Sequence, residues 1–142
     1  MAKPIYYESG RFIVFLDKRP LLPGHSLIAP KRHVLYLTEL NKSEMLELRE
    51  LLGYMLPRLL RAYGADSYNI SVNAGEHAGM AVEHLHLHVV PRSAGDPYQG
   101  NVFTFYRRLQ GERLEYARDV SKEAARLRKL FIYKRKGRQR PV

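Results

Sequence analysis

At 142 residues the chain is long enough to bury one substantial core, and its 45% hydrophobic and 27% charged content is that of an ordinary globular domain. It contains no cysteine, which excludes disulfides, a thiol nucleophile and a cysteine-based zinc site. The net charge of +10 is unevenly placed: residues 1–106 carry 11 Lys/Arg against 10 Asp/Glu, whereas residues 107–142 carry 13 against 4. The sequence therefore reads as a near-neutral body, 1–106, followed by a basic helix and tail, 107–142, which is either a solvated end or a contact surface for phosphates, nucleic acid or an acidic partner. The start, Met-Ala-Lys-Pro-Ile-Tyr-Tyr-Glu, lacks the apolar run of a signal peptide, and no stretch is long and apolar enough to span a bilayer. A cytoplasmic protein is expected.

In chain order, Tyr6 and Tyr7 can begin a first strand, and Phe12–Asp17 is an apolar run of strand length. Two prolines and a glycine in Lys18–Gly24 make a turn, and His25–Pro30 reads as a second strand pairing antiparallel with it. Asn41 is a helix N-cap with Glu44 completing a capping box. Met45, Leu48, Leu52, Met55 and Leu59 then form one apolar stripe, with a bend expected at Pro57 and a stop at Gly64. Tyr68–Asn73 alternates as a strand, with Ile70 and Val72 on one side, and Ala74–Gly79 is a flexible connection to the next. Ser93–Asn101 reads as loop, Val102–Tyr106 as a short edge strand, and Tyr116, Val120, Ala124, Leu127 and Phe131 as the apolar stripe of a last helix. Residues from Lys134 to Arg140 are expected to be disordered.

The informative stretch is His84-Leu85-His86-Leu87-His88-Val89-Val90. In a strand, successive side chains point to opposite faces, so three imidazoles roughly 7 Å apart share one face while Leu85, Leu87 and Val89 share the other. Ordinary hydrogen-bonded histidines, a metal site and covalent catalysis are the three available readings. Two histidines two residues apart can share an ion, but three along a flat strand span about 13 Å, too far for one. Glu83 points to the opposite face, so a nearby acidic ligand is missing. Covalent catalysis asks for a neutral imidazole able to attack phosphorus, a partner that fixes its tautomer, and donors for phosphate oxygens. Backbone N–H groups near Asn73, Gly75 and Gly79 are placed to provide such donors.

Val14-Phe15-Leu16-Asp17, the run Pro23-Gly24-His25-Ser26-Leu27-Ile28-Ala29-Pro30-Lys31-Arg32-His33, Val72-Asn73-Ala74-Gly75, the histidine stretch and Pro91-Arg92 together resemble the histidine triad superfamily of nucleotide hydrolases and transferases, in its order and spacing. The resemblance covers roughly residues 11–101 and is nearest in look to the diadenosine-polyphosphate branch. It implies an α+β fold, an antiparallel sheet of about five strands with two main helices, joined into a larger sheet in a homodimer. It further implies that His86 attacks the α-phosphate of an adenine-type nucleotide to form a nucleotidyl-histidine, as in cleavage of a diadenosine polyphosphate or a phosphoramidate. By the same resemblance His84 and His88 orient it and bind phosphate oxygens, and His25 supports them. Asp17 then binds the ribose hydroxyls and Asn73 lies near ribose and phosphate. Phe15 and Leu16 wall the base pocket, and Gly79 and Met80 border the phosphates. No metal ligand set and no required cofactor are implied, although a divalent cation could ride on the substrate phosphates. One departure is visible: many members carry Gln followed by Ser or Thr where this chain has Met80 and Ala81, neither of which donates a side-chain hydrogen bond. That departure, with the basic tail, keeps open a nucleotide- or RNA-binding module with little catalysis.

Overall fold

The computed structural model describes residues 3–98 and 119–136, with side chains through residue 131. Five strands form one antiparallel sheet: β1 Ile5–Glu8, β2 Phe12–Leu16, β3 Ser26–Pro30, β4 Ser67–Ser71 and β5 Leu87–Arg92. Their spatial order is β1-β2-β3-β5-β4. Among the described residues there are two α-helices, α1 Lys42–Ala62 and α2 Ser121–Lys136, which with the sheet make an α+β architecture, and short 3-10 turns at Leu37–Glu39 and Glu76–Ala78.

Alternation decides what each face of the sheet does. Phe12, Val14, Leu16, Ile28, Leu87 and Val89 join one buried cluster with Leu48, Leu51, Tyr54, Met55 and Leu59 of α1 and Ala124, Leu127 and Phe131 of α2. Both helices thus cover one face. The other carries the remaining residues of each strand, and it is the face that holds the histidines. Leu16 is 2% exposed within the helix-covered core. The expectation that it walls a base pocket is therefore corrected: the alternation that puts Phe15 on the histidine face sends Leu16 to the other.

The local elements follow from their residues. The Asn41 side chain accepts from the Glu44 amide while the Glu44 carboxylate accepts from the Asn41 amide, completing the capping box at the start of α1. Arg32 donates to the same carboxylate at 2.7 Å and 3.2 Å, and these bonds hold Glu44 down at a pKa of about 2. Met45, expected in the core stripe, is 43% exposed, and the buried line runs instead through Glu44, Leu48, Leu51, Met55 and Leu59. Pro57 lies inside a helix that continues to Ala62.

Helix α2 is tied to the sheet and to α1 by an aromatic cluster of Tyr6, Tyr7, Tyr54 and Phe131, and by the Tyr54 hydroxyl donating to the Phe131 carbonyl at 2.8 Å. Val120, Ala124, Leu127 and Phe131 are buried as their spacing requires. The helix runs through Lys134–Lys136, so those three residues are helical rather than disordered. The expected edge strand 102–106, Tyr116 and the remaining tail lie outside the described residues.

Candidate active site

The sheet register lines up the histidine face. Phe15 is opposite Leu27, Leu27 opposite His88, and His88 opposite Ser71, and residues directly opposite one another share a face. Beyond β2 and β3, the Asp17 amide bonds the His25 carbonyl at 2.9 Å, which brings those two residues into the same arrangement. Strand β5 begins only at Leu87, so His84 and His86 precede it rather than lying on it. The alternation nevertheless persists, because Leu85 is buried in the core at 1% exposure while His84 and His86 are only partly covered.

His25 is reached through a tight turn. The His25 amide bonds the Leu22 carbonyl at 3.1 Å across Pro23 and Gly24, and Gly24 has φ +87°, which suits the third residue of a type II turn. A Cβ at position 24 would sit 2.7 Å from the Tyr63 ring, so both backbone and packing require glycine there. The turn delivers His25 fully buried, with the Leu21 amide 3.1 Å from its Nδ1.

That contact fixes protons. A backbone N–H can only donate, so Nδ1 of His25 is the acceptor and Nε2 carries the hydrogen. Nε2 lies 2.9 Å from Nδ1 of His88, which must then accept, placing the His88 proton on its own Nε2. Asp17 stands behind the pair with Oδ2 3.6 Å from His25 Nε2, while its Oδ1 accepts from the Arg19 amide at 2.8 Å. A second chain fixes the neighbouring rings. Nδ1 of His86 is 2.9 Å from the His84 carbonyl, an acceptor, so it carries the proton and Nε2 keeps the lone pair. Nε2 of His84 donates to the Pro30 carbonyl at 2.8 Å, leaving its Nδ1 as acceptor 3.1 Å from Nδ1 of His33. The rings of His86 and His88 meet edge-on with centroids 5.1 Å apart. The arrangement sets one imidazole lone pair beside one imidazole N–H.

Two readings change. Asp17, His25 and His88 offer ligand atoms all within 4.8 Å of one another, so an acidic group does approach the histidines. The donor set nonetheless suits a proton relay better than a metal: the Leu21 amide occupies His25 Nδ1, so metallation at Nε2 would force a proton onto Nδ1 against that amide. In the glycine-rich connection, Glu76–Ala78 is a 3-10 turn in which the amides of Gly79 and Met80 bond the carbonyls of Glu76 and Gly75 at 3.1 Å each. Those two amides are spent within the turn and are not free phosphate donors. Met80 and Asn73 are half-buried, and Phe15, 9% exposed, has the Lys3 ammonium 5.5 Å from its ring centre.

Some participants were invisible from pattern alone. Ser71, opposite His88, has a buried hydroxyl with no hydrogen-bond partner among the described residues, and His33 touches His84 from a loop fifty-one positions away. Neither has a periodicity that marks it. Beyond β5, Arg92 donates to Asp96 at 2.7 Å and 2.9 Å and to Asn69 at 2.8 Å, closing the turn that follows the histidine strand.

The chain is similar to several known proteins. The bis(5'-adenosyl)-triphosphatase of Dictyostelium discoideum is 29% identical over 128 residues, 89% of this chain and 85% of its own. The asymmetrical bis(5'-nucleosyl)-tetraphosphatase of Schizosaccharomyces pombe is 32% identical over 96 residues, 68% of this chain and 53% of its own. Several other curated relatives are matched over only 22% to 62% of their lengths. A zinc-bound histidine triad family protein from Mycobacterium smegmatis, 30% identical, superposes with a TM-score of 0.69 over 97% of this chain and 90% of that one. The HIT domain model matches residues 2–95, the stretch that builds the sheet, the His25 turn and both histidine chains, and on that ground this protein belongs to the HIT domain family.

Proposed function

We propose that the protein is a nucleotide-binding hydrolase or transferase that cleaves a nucleoside phosphoric anhydride or phosphoramidate, such as a diadenosine polyphosphate, through a covalent intermediate on His86. The observation that carries this reading is the His86 tautomer: with Nδ1–H bound to the His84 carbonyl at 2.9 Å, the Nε2 lone pair is the available nucleophile. In the first step Nε2 attacks the α-phosphorus and the bond from phosphorus to the leaving oxygen or nitrogen breaks. The ring becomes cationic, and its Nδ1–H bond to a carbonyl stabilises that charge. His88 directs its Nε2–H at a phosphate or leaving-group oxygen, and the His25–Asp17 pair behind it supports the charge drawn as that proton is shared. Water, or inorganic phosphate, then displaces the nucleotide and restores the free imidazole.

On this reading Asp17, beside His25, receives the ribose hydroxyls. Phe15 flanks the base, and Asn73 lies by the ribose and phosphate. A divalent cation on the substrate phosphates, a homodimer and a cytoplasmic location fit the same proposal. The names of the two phosphatases above support the substrate class.

The test is His86→Ala assayed on diadenosine tri- and tetraphosphate and adenosine phosphoramidate, with trapping of a labelled nucleotidyl adduct. Turnover is expected to fall at least about a thousandfold and the adduct to vanish. Undiminished turnover in the variant, or no adduct on any substrate with the unaltered protein, overturns the reading. A binding module with little catalysis is the alternative, favoured by Met80 and Ala81 and by the cations Arg61, Lys122, Arg126 and Lys129 around a groove between the helices.

A further inference from the structure

The structure assigns a positioning role to His33, an exposed histidine outside the triad. The inference rests on the proposed role of His86 for its kinetic part only. His33 Nδ1 lies 3.1 Å from His84 Nδ1, with ring centroids 5.2 Å apart. Its neighbour Val34 accepts from the Leu85 amide at 2.7 Å, so the two segments are held together by backbone as well as by side chains. His84 Nε2 is committed to the Pro30 carbonyl, and the His84 carbonyl is committed to His86 Nδ1.

The consequences follow from donor and acceptor counting. Pro30 can only accept, so neutral His84 presents a bare Nδ1, and His33 must turn an N–H toward it. That second hydrogen bond fixes the His84 ring at both nitrogens. A ring held at both ends holds the backbone carbonyl two residues before the nucleophile, and that carbonyl decides which nitrogen of His86 keeps its lone pair. His33 thus sets the nucleophile without touching substrate.

The experiment compares His33→Ala, His33→Asn and His33→Asp. Asparagine places an N–H where the histidine Nδ1 was, whereas aspartate at the same position can only accept. The first readout is the ¹⁵N shifts of the His84 ring nitrogens, which report tautomer and charge without any substrate. In the unaltered protein and in His33→Asn, His84 is expected neutral with its proton on Nε2. In His33→Asp, at a pH where the parent ring is neutral, it is expected doubly protonated. Unchanged His84 shifts in the aspartate variant overturn the inference. The second readout is kinetic: His33→Ala lowers kcat about tenfold, the scale of one lost hydrogen bond, with KM within about twofold, and asparagine restores it. Altered His84 shifts with kcat unchanged across the series also overturn it. Should the unaltered protein turn over none of the nucleotide probes, the proposed function fails while the His84 shifts still decide the pairing.

Discussion

His25 is wholly enclosed and uses both ring nitrogens, accepting from Leu21 and donating to His88. Replacing it with phenylalanine strands two buried polar groups, the Leu21 amide and His88 Nδ1, at about 1–3 kcal/mol each. His25→Phe is expected to lower the melting temperature and also to reduce kcat by roughly tenfold or more, because His88 is then free to take the wrong tautomer. Thermal melts and initial rates on the same preparations check both halves; a stable variant with parental kcat would remove His25 from the relay. Position 24 gives a second prediction at this scale. Gly24→Ala combines a strained φ of +87° with a 2.7 Å approach to Tyr63, and should cost about 1–3 kcal/mol in denaturant unfolding. Adding Tyr63→Leu should recover the packing part but not the backbone part. At this scale the sequence was legible where side-chain pattern coincides with spacing: the alternating histidines and the Pro-Gly turn. The resemblance anticipated His25 beside the triad, but not that Asp17 reaches His25 and His88, nor that His33 meets His84, because those contacts join segments 8 to 71 positions apart and no local periodicity encodes them.

At the scale of elements, two carboxylates anchor segment ends, and both are predicted to show in the acid limb of stability. Asp96 accepts from Arg92 and from the amides of Ser93 and Tyr98, which hold its pKa down at about 2 from 3.8. Its folded value lies below its unfolded one. The stability it contributes is therefore fully present above about pH 4 and is lost as pH falls through about 2. Asp96→Asn should lower stability at neutral pH and flatten the acid dependence between these values, as read by urea unfolding at several pH values. A slope unchanged by the substitution would contradict the assignment. Glu44 acts with the same sign at the head of α1. Its burial is the exception to the expected stripe: a reader of hydropathy assigns Met45 to the core and Glu44 to solvent, whereas Arg32 pairs with the buried Glu44 carboxylate and Met45 is exposed. The strands, both helices and the capping box were otherwise legible because each has its own period or cap. The end of α2 was not, since a run of cations looks the same solvated on a helix or off it.

At the scale of the molecule, the sheet divides labour: helices on one face, histidines on the other. The groove between α1 and α2, about 870 Å³, lies on the helix side and is lined by Ala62, Ala125, Leu127 and Leu130 with Arg61, Lys122, Arg126 and Lys129 around them. It is distinct from the histidine face. If this surface binds polyanions, then Lys122→Glu, Arg126→Glu and Lys129→Glu together should weaken binding of a single-stranded oligonucleotide and reduce the slope of log affinity against log salt by about 2. The same substitutions should leave nucleotide turnover unaltered. An unchanged slope, measured by fluorescence anisotropy across a salt series, would deny the groove that role. No described helix is long and apolar enough to cross a membrane.

The two histidine chains run in opposite electrical senses. One starts at an amide hydrogen of Leu21 and ends in a hydrogen on His88; the other is closed by carbonyl oxygens of Pro30 and His84 and ends in the lone pair of His86. For a chemist designing a covalent probe, the face is therefore a polarised two-point template. With His86 as the proposed nucleophile, it calls for an electrophilic centre over His86 and an electron-rich oxygen beside His88, with the ring centroids 5.1 Å apart setting the spacing. A sulfonyl or phosphonyl warhead has that polarity built in. An alkylating group without the oxygen engages one point and leaves the other unanswered.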